Sequence, residues 1–363
     1  MEPSALVPTP DAICVPSGWF RVLLLSTFFL HILCMNAMVG GGIMALVAGL
    51  KRKQNPVFGQ LALELSKLLT FLIAFAINLG VAPLLFMQVL YGHFFYVSSV
   101  LMAVIWLMVI GLLLLAYYGA YFYKFRFEQL GGKRQLIIGI TVGLFFLIGF
   151  IFSNNMTLML RPERWIAYFS NPHGTFLNIT EPTLWPRFLH FMVASVAVGG
   201  LMVAFSGHLK RKNDADCAKT RVAWGLHWFA HATIVQIGIG FWFLISLPAN
   251  IRILFLGGNI FLSALLLMGI AASVMALISG LRGKLGPAVT TTLFTIMLMI
   301  LIRDQVRNAY LEPFFKLSDL ALETQYGSLA LFLVALAISL GAMLFLVRLV
   351  FTSGQKPSVS SHK

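Results

Sequence analysis

Eight histidines are spread along the 363 residues, and most stand in or beside long apolar runs. His31 lies about twelve residues into the first run and His190 about four into the fifth. His93 closes the second run. His227 and His231 are spaced i, i+4, so a helix puts both on one face. His208 marks the end of the fifth run, His173 stands in a polar loop and His362 in the C-terminal tail. An imidazole in an apolar setting has three readings. It ligates haem iron or another metal, it relays protons, or it hydrogen-bonds a neighbouring helix. Small residues follow the two deepest histidines: Gly40, Gly41 and Gly42 after His31, and Ala194, Ser195, Ala197, Gly199 and Gly200 after His190. They allow close helix approach, or a flat macrocycle against a backbone. The chain also holds 32 Phe, 7 Trp, 9 Tyr and 16 Met, material for lining an apolar pocket and for a second axial ligand. A second constellation is Arg303-Asp304-Gln305-Val306-Arg307 at the end of an apolar run. It reads either as an interfacial anchor or as a carboxylate ligand or proton acceptor beside arginines that hold anionic groups.

The elements that must position these groups are membrane helices. Hydrophobic residues make up 59% of the chain and charged residues 10%, against roughly 25% charged in a soluble domain. That excludes a soluble globular enzyme, a nucleic-acid-binding domain and a disordered chain. Nine apolar segments predict an all-α polytopic protein with spans near 19–50, 60–91, 97–123, 136–160, 186–209, 222–247, 253–281, 286–310 and 326–351. They form one transmembrane domain over 1–363, with 352–363 expected as a flexible cytoplasmic tail. The polar stretch from Arg161 to Trp185 reads as an interfacial loop.

Charge sets the expected orientation. One set of loops holds seventeen basic residues against Glu128, Asp214 and Asp216, a net +14 that equals the whole formal charge. The opposite set balances eight basic with eight acidic residues. Glu64 and Lys67, one helical turn apart in the second span, are expected to cancel. The positive-inside rule then places the N-terminus outside and the C-terminus inside. The N-terminus has no basic stretch before its first apolar run, so a cleaved signal peptide is not expected. Cys14, Cys34 and Cys217 give no disulfide framework, and the sequence has no CxxCH for covalent haem attachment.

The order of these features resembles subunit I of the cytochrome bd-type quinol oxidases, as a divergent and shortened relative. The strongest stretch runs from Phe188-Leu189-His190-Phe191-Met192-Val193-Ala194-Ser195 through Gly199-Gly200 to Lys210-Arg211-Lys212. By this resemblance His190 is a ligand of a low-spin haem b. His31 is an axial ligand in the high-spin haem region. Asp304 takes the place of a carboxylate ligand in the family's Glu-x-Gly-Arg motif. There are departures. Only Pro248 to Arg252 joins the sixth and seventh spans, where the family has its quinol-binding loop. Leu254 stands where the family has the methionine ligand of its Arg-x-Met motif. Gln88 stands in place of a glutamate.

The resulting expectation is one to three haems b near the outer face, between spans one, two, five, seven and eight. His31, His190 and Asp304 are the iron ligands, His93, His227 and His231 are further cofactor-binding candidates, and Arg252, Arg303 and Arg307 neutralise propionates. The protein then passes electrons, as an oxidoreductase component, in a bacterial or archaeal cytoplasmic (inner) membrane. It connects a membrane donor or acceptor with a periplasmic redox partner, a separate c-type cytochrome being one candidate. Lipid, other redox subunits and a quinone are the expected partners, and nucleic acid is not. Two rivals stand beside this reading. One is a terminal oxidase of the bd type with a donor other than loop-bound quinol. The other is a haem-free transporter or scaffold, with a helix broken at Pro83 and the His227/His231 pair on a substrate path.

Overall fold

The computed structural model describes residues 2–353, and the tail expected beyond Ser353 lies outside them. Among the described residues, nine helices are long and apolar enough to cross a membrane. They are α1 (Ser17–Lys51), α2 (Pro56–Leu101), α3 (Ala103–Phe125), α4 (Arg134–Met159), α5 (Leu184–Lys210), α6 (Ala215–Ser246), α8 (Ile260–Leu281), α9 (Leu285–Leu311) and α10 (Tyr326–Ser353). A short helix, α7 (Ala249–Ile253), precedes α8. The chain is a polytopic all-α integral membrane protein.

Local chemistry sets several boundaries. The Asn55 side chain accepts from the Val57 amide at 2.9 Å, with Pro56 in the first turn. Asp214 caps α6 through the Cys217 amide at 2.9 Å. Asn259 caps α8 through the Leu262 amide at 3.1 Å. The expected seventh span is divided. After α7 the backbone widens into a π segment, Leu254–Gly258, and Gly257 at φ 107° turns it before α8 begins. A side chain at Gly257 would be strained, so glycine permits this turn.

Two expectations about α2 change. The helix does not break at Pro83, which is buried inside it, but bends at Tyr91 (φ −136°) and continues to Leu101. His93 is therefore inside a helix rather than at its end. Lys67 is exposed, and Glu64 pairs with neither it nor solvent alone. It bonds Lys210 on α5 and the wholly buried Arg221 on α6, the latter at 2.6 Å, which ties three helices together at the basic end of the bundle.

Glycines bring α1, α5 and α6 into contact. A Cβ on Gly40 would lie 1.9 Å from the Ser195 carbonyl oxygen and 2.8 Å from Gly199 Cα. One on Gly200 would lie 2.6 Å from the Gly225 carbonyl oxygen. At both crossings the backbones occupy space that any side chain needs. On the opposite, charge-balanced end, the 161–185 connection folds into a 3₁₀ helix, Pro162–Phe169. Its Trp165 is buried and donates to the Leu158 carbonyl at 3.0 Å, so that ring belongs to the core and not to the interface.

Candidate functional site

The α1–α5 crossing leaves room above it for a cavity of about 240 Å³, walled by α1, α5, α6, α8 and α9 together with Phe255 of the π segment. Its walls are apolar and aromatic: Phe28, Phe191, Phe229, Phe241, Phe243 and Phe255 all contribute. Three cationic or basic side chains interrupt them. His190 enters from α5, with Gly240 of α6 beside its ring, where a Cβ would sit 3.5 Å from Cε1. Its Nδ1 is buried without a hydrogen-bond partner. One turn earlier on α5, Arg187 is buried with Nε and Nη2 unpartnered. Its Cζ lies 5.2 Å from the Phe243 ring. From α9, Arg303 lies with its Cζ 4.5 Å over Phe28 and its Nε buried and unpartnered. Gln236 of α6 also lines the cavity and donates to the His190 carbonyl at 2.9 Å, tying α6 to α5.

An apolar slot holding an unpaired imidazole nitrogen and two guanidinium groups with spare N–H donors fits a flat apolar macrocycle. The imidazole suits its iron, and the arginines suit its carboxylates. Met299 on α9 is the thioether lining this cavity, whereas Leu254 is absent from its walls. The sequence reading missed Arg187. The signal was available: it stands three residues before His190, on the same face. Span six takes part in the wall, and span two does not.

The other candidates are dispersed. His31 turns away from this cavity toward α2. Its Nδ1 lies 3.0 Å from the Ala76 carbonyl oxygen, and its ring occupies the space left by Gly80, where a Cβ would fall 2.9 Å from Cε1. A carbonyl only accepts, so Nδ1 carries the hydrogen and the Nε2 lone pair of the neutral ring remains for another partner. Asp304 is 2% exposed and fully engaged. Arg21 of α1 holds Oδ2 through Nε at 2.8 Å and through Nη2 at 2.6 Å, and Arg307 holds Oδ1. The expected ligand carboxylate is thus the centre of an ion triad joining α1 to α9. Arg21 was not foreseen, because sequence spacing cannot reveal a partner 283 residues away. Arg307 is committed to this triad and to the Tyr91 ring, with Cζ 4.3 Å from its centroid.

Arg252 does not line the cavity. It donates to the Ile245 carbonyl at 2.8 Å and so satisfies the end of α6. His93 packs between Phe94 and Phe315, ring centroids 4.4 and 4.5 Å away, with Nε2 buried and unpartnered. His227 and His231, both exposed on α6, lie with ring centroids 4.1 Å apart and planes tilted by 42°. His231 Nδ1 donates to the His227 carbonyl at 2.8 Å. Among the described residues no group of three or more His, Cys, Asp or Glu could hold a bare metal ion.

No family model and no curated protein matches the chain. A solved structure does: the bd oxidase from Geobacillus thermodenitrificans matches with a TM-score of 0.70 at 12% identity, over 95% of this chain and 99% of that one. The fold is therefore of the bd oxidase type.

Proposed function

We propose that the chain is a haem b-binding membrane cytochrome subunit, related to subunit I of the bd-type oxidases. Its work is to pass electrons between a membrane donor or acceptor and a periplasmic redox partner. The observation that carries this reading is the cavity around His190, an apolar slot with one unpaired imidazole nitrogen and two under-bonded arginines. A buried guanidinium without an anion is costly in a membrane, so the slot calls for an anionic, otherwise apolar occupant. A haem b would supply one-electron redox chemistry there.

The roles of the chain's own residues follow. His190 would hold the haem iron, and Met299, the thioether in the same cavity, would offer it a sulfur ligand where Leu254 cannot. Arg187 and Arg303 bind propionates, and the phenylalanine walls exclude water and so help to set the potential. His31, with its Nε2 lone pair uncommitted, is the candidate for a further haem on the α1–α2 side. With the basic end of the bundle toward the cytoplasm, Arg187, His190 and Arg303 fall in the outer half of an inner membrane. Two exposed histidines on α6 at membrane depth are unfavourable against lipid, which favours another subunit covering that face.

The test is to mix purified protein, anaerobically, with a reduced soluble c-type cytochrome. Electron exchange seen as matched Soret changes in both proteins supports the proposal. The fold likeness to an oxidase favours a second reading, oxygen reduction. Oxygen uptake from quinol or cytochrome c by the purified chain, lost in His31→Ala, would establish that one instead.

A further inference from the structure

At the basic end of the bundle, the end of α1, the start of α2 and the α3–α4 connection enclose an open cleft. Its charged lining is Arg52 and Lys53, just past α1, and Arg134, the first residue of α4, against one carboxylate, Glu128. Among the described residues no ion pair engages Arg52 or Lys53. Arg134 is 8% exposed. Its Nη2 lies 3.6 Å from Glu128 Oε2 and 3.5 Å from the Glu128 carbonyl oxygen, while Nε is buried with no partner. The Glu128 side chain is 78% exposed, so water competes for that long contact and the pair contributes little. Phe127 packs against the guanidinium, with its ring centroid 4.3 Å from Arg134 Cζ, and so holds it in place. Across the cleft, Gln60 accepts from Arg221 Nη2 at 3.4 Å through Oε1, which leaves its amide N–H groups to donate.

Loop cations alone serve to set topology, and for that they need only stand in the loop. Arg134 does more: it is buried, and its one anionic neighbour is distant and solvated. A buried N–H donor without a partner costs free energy that a fixed anion recovers. Guanidinium N–H pairs match the oxygens of a phosphate, and a lysine adds a point charge. The cleft lies where α1 ends and α2 and α4 begin, at the depth of lipid headgroups, and Leu63 and Phe127 give it an apolar floor. We propose that this cleft is a phosphate-binding site filled by the headgroup of an anionic phospholipid. Arg134 and Arg52 take the phosphate oxygens, Lys53 adds charge, and the Gln60 amide donates. Glu128, being exposed, turns out into water. The bound lipid then joins the α1–α2 turn to the α3–α4 connection. The proposal goes beyond the haem reading and does not rest on it.

Native mass spectrometry of the purified full-length protein tests it. The protein is delipidated in detergent and given equal amounts of dioleoylphosphatidylglycerol and dioleoylphosphatidylcholine. The wild type should retain phosphatidylglycerol several-fold over phosphatidylcholine. Arg52→Gln/Lys53→Gln should lose that preference, while Arg282→Gln/Lys284→Gln, which removes two exposed cations from another basic loop, should keep it. If the first double variant does not accumulate, Lys53→Gln alone, at an exposed position, carries the same comparison. No preference in the wild type, or equal retention by the wild type and the cleft variant, overturns the site. So does an equal loss in both double variants, which would assign the attraction to the basic face as a whole. A second arm separates the two sources of phosphate. Phosphatidylglycerol should raise the melting temperature of the wild type, and inorganic phosphate at the same concentration should not. An equal rise with inorganic phosphate, absent from the cleft variant, would assign the cleft to free phosphate and overturn the lipid. Neither readout involves haem, so a protein without a Soret band would overturn the haem reading alone.

Discussion

His31 and His190 show how one residue type takes two positions on a single helical frame. His31 commits its N–H to the Ala76 carbonyl, while His190 leaves Nδ1 bare inside a cavity. Opposite chemistry is available at Met299. Replacing it by leucine conserves volume but removes the sulfur. Met299→Leu should keep its haem and gain a carbon monoxide-binding, high-spin fraction in the optical spectrum. An unaltered low-spin spectrum would remove Met299 from the coordination shell. At Asp304 the prediction concerns stability. Asp304→Asn leaves Arg21 and Arg307 without their shared anion, and breaking a buried pair on one side costs about 3–5 kcal/mol. A large drop in melting temperature in detergent is expected, and a melt matching the wild type would show that the triad is not formed. The histidines and the Arg303–Arg307 segment were legible as chemistry because ionisable residues stand out in apolar runs. Their partners were not, since Arg21 and Asp304 meet only through the packing of α1 on α9.

Close helix crossings set the spacing of the helices that wall the cavity. The Gly40–Gly199 contact fixes α1 against α5 below His190, and Gly200–Gly225 fixes α5 against α6. A methyl at Gly40 has no volume to enter, because its neighbours are backbone atoms. Gly40→Ala should therefore cost about 1–3 kcal/mol by overpacking. Gly139→Ala on α4, where nothing lies within 4 Å, should be neutral or gain up to about 1 kcal/mol in helix propensity. Paired thermal melts check this, and equal behaviour of the two variants would contradict the close crossing. The spans themselves were readable from hydropathy, and most observed boundaries fall within a few residues of expectation. Gly257, Gly258 and Asn259 marked the turn before α8, but they stand inside a hydropathic run long enough to be read as one span. The continuation of α2 through Gly92 and His93 places the His93 ring against Phe315, a contact 222 residues away that sequence spacing does not reveal.

At the scale of the molecule, the charge asymmetry and the cavity make two linked claims. The seventeen basic residues counted in one set of loops and the tail predict that a C-terminal green fluorescent protein fusion fluoresces and that an alkaline phosphatase fusion at the same point is inactive. The reverse pattern would place the His190 cavity near the cytoplasm and exclude a periplasmic partner. The whole account depends on that cavity holding iron porphyrin. A pyridine haemochrome spectrum of purified wild-type protein beside His190→Ala measures this most directly. The expected result is protohaem in the wild type and a clear loss of haem per chain in the variant. Haem absent from the wild type, or undiminished in His190→Ala, would contradict it.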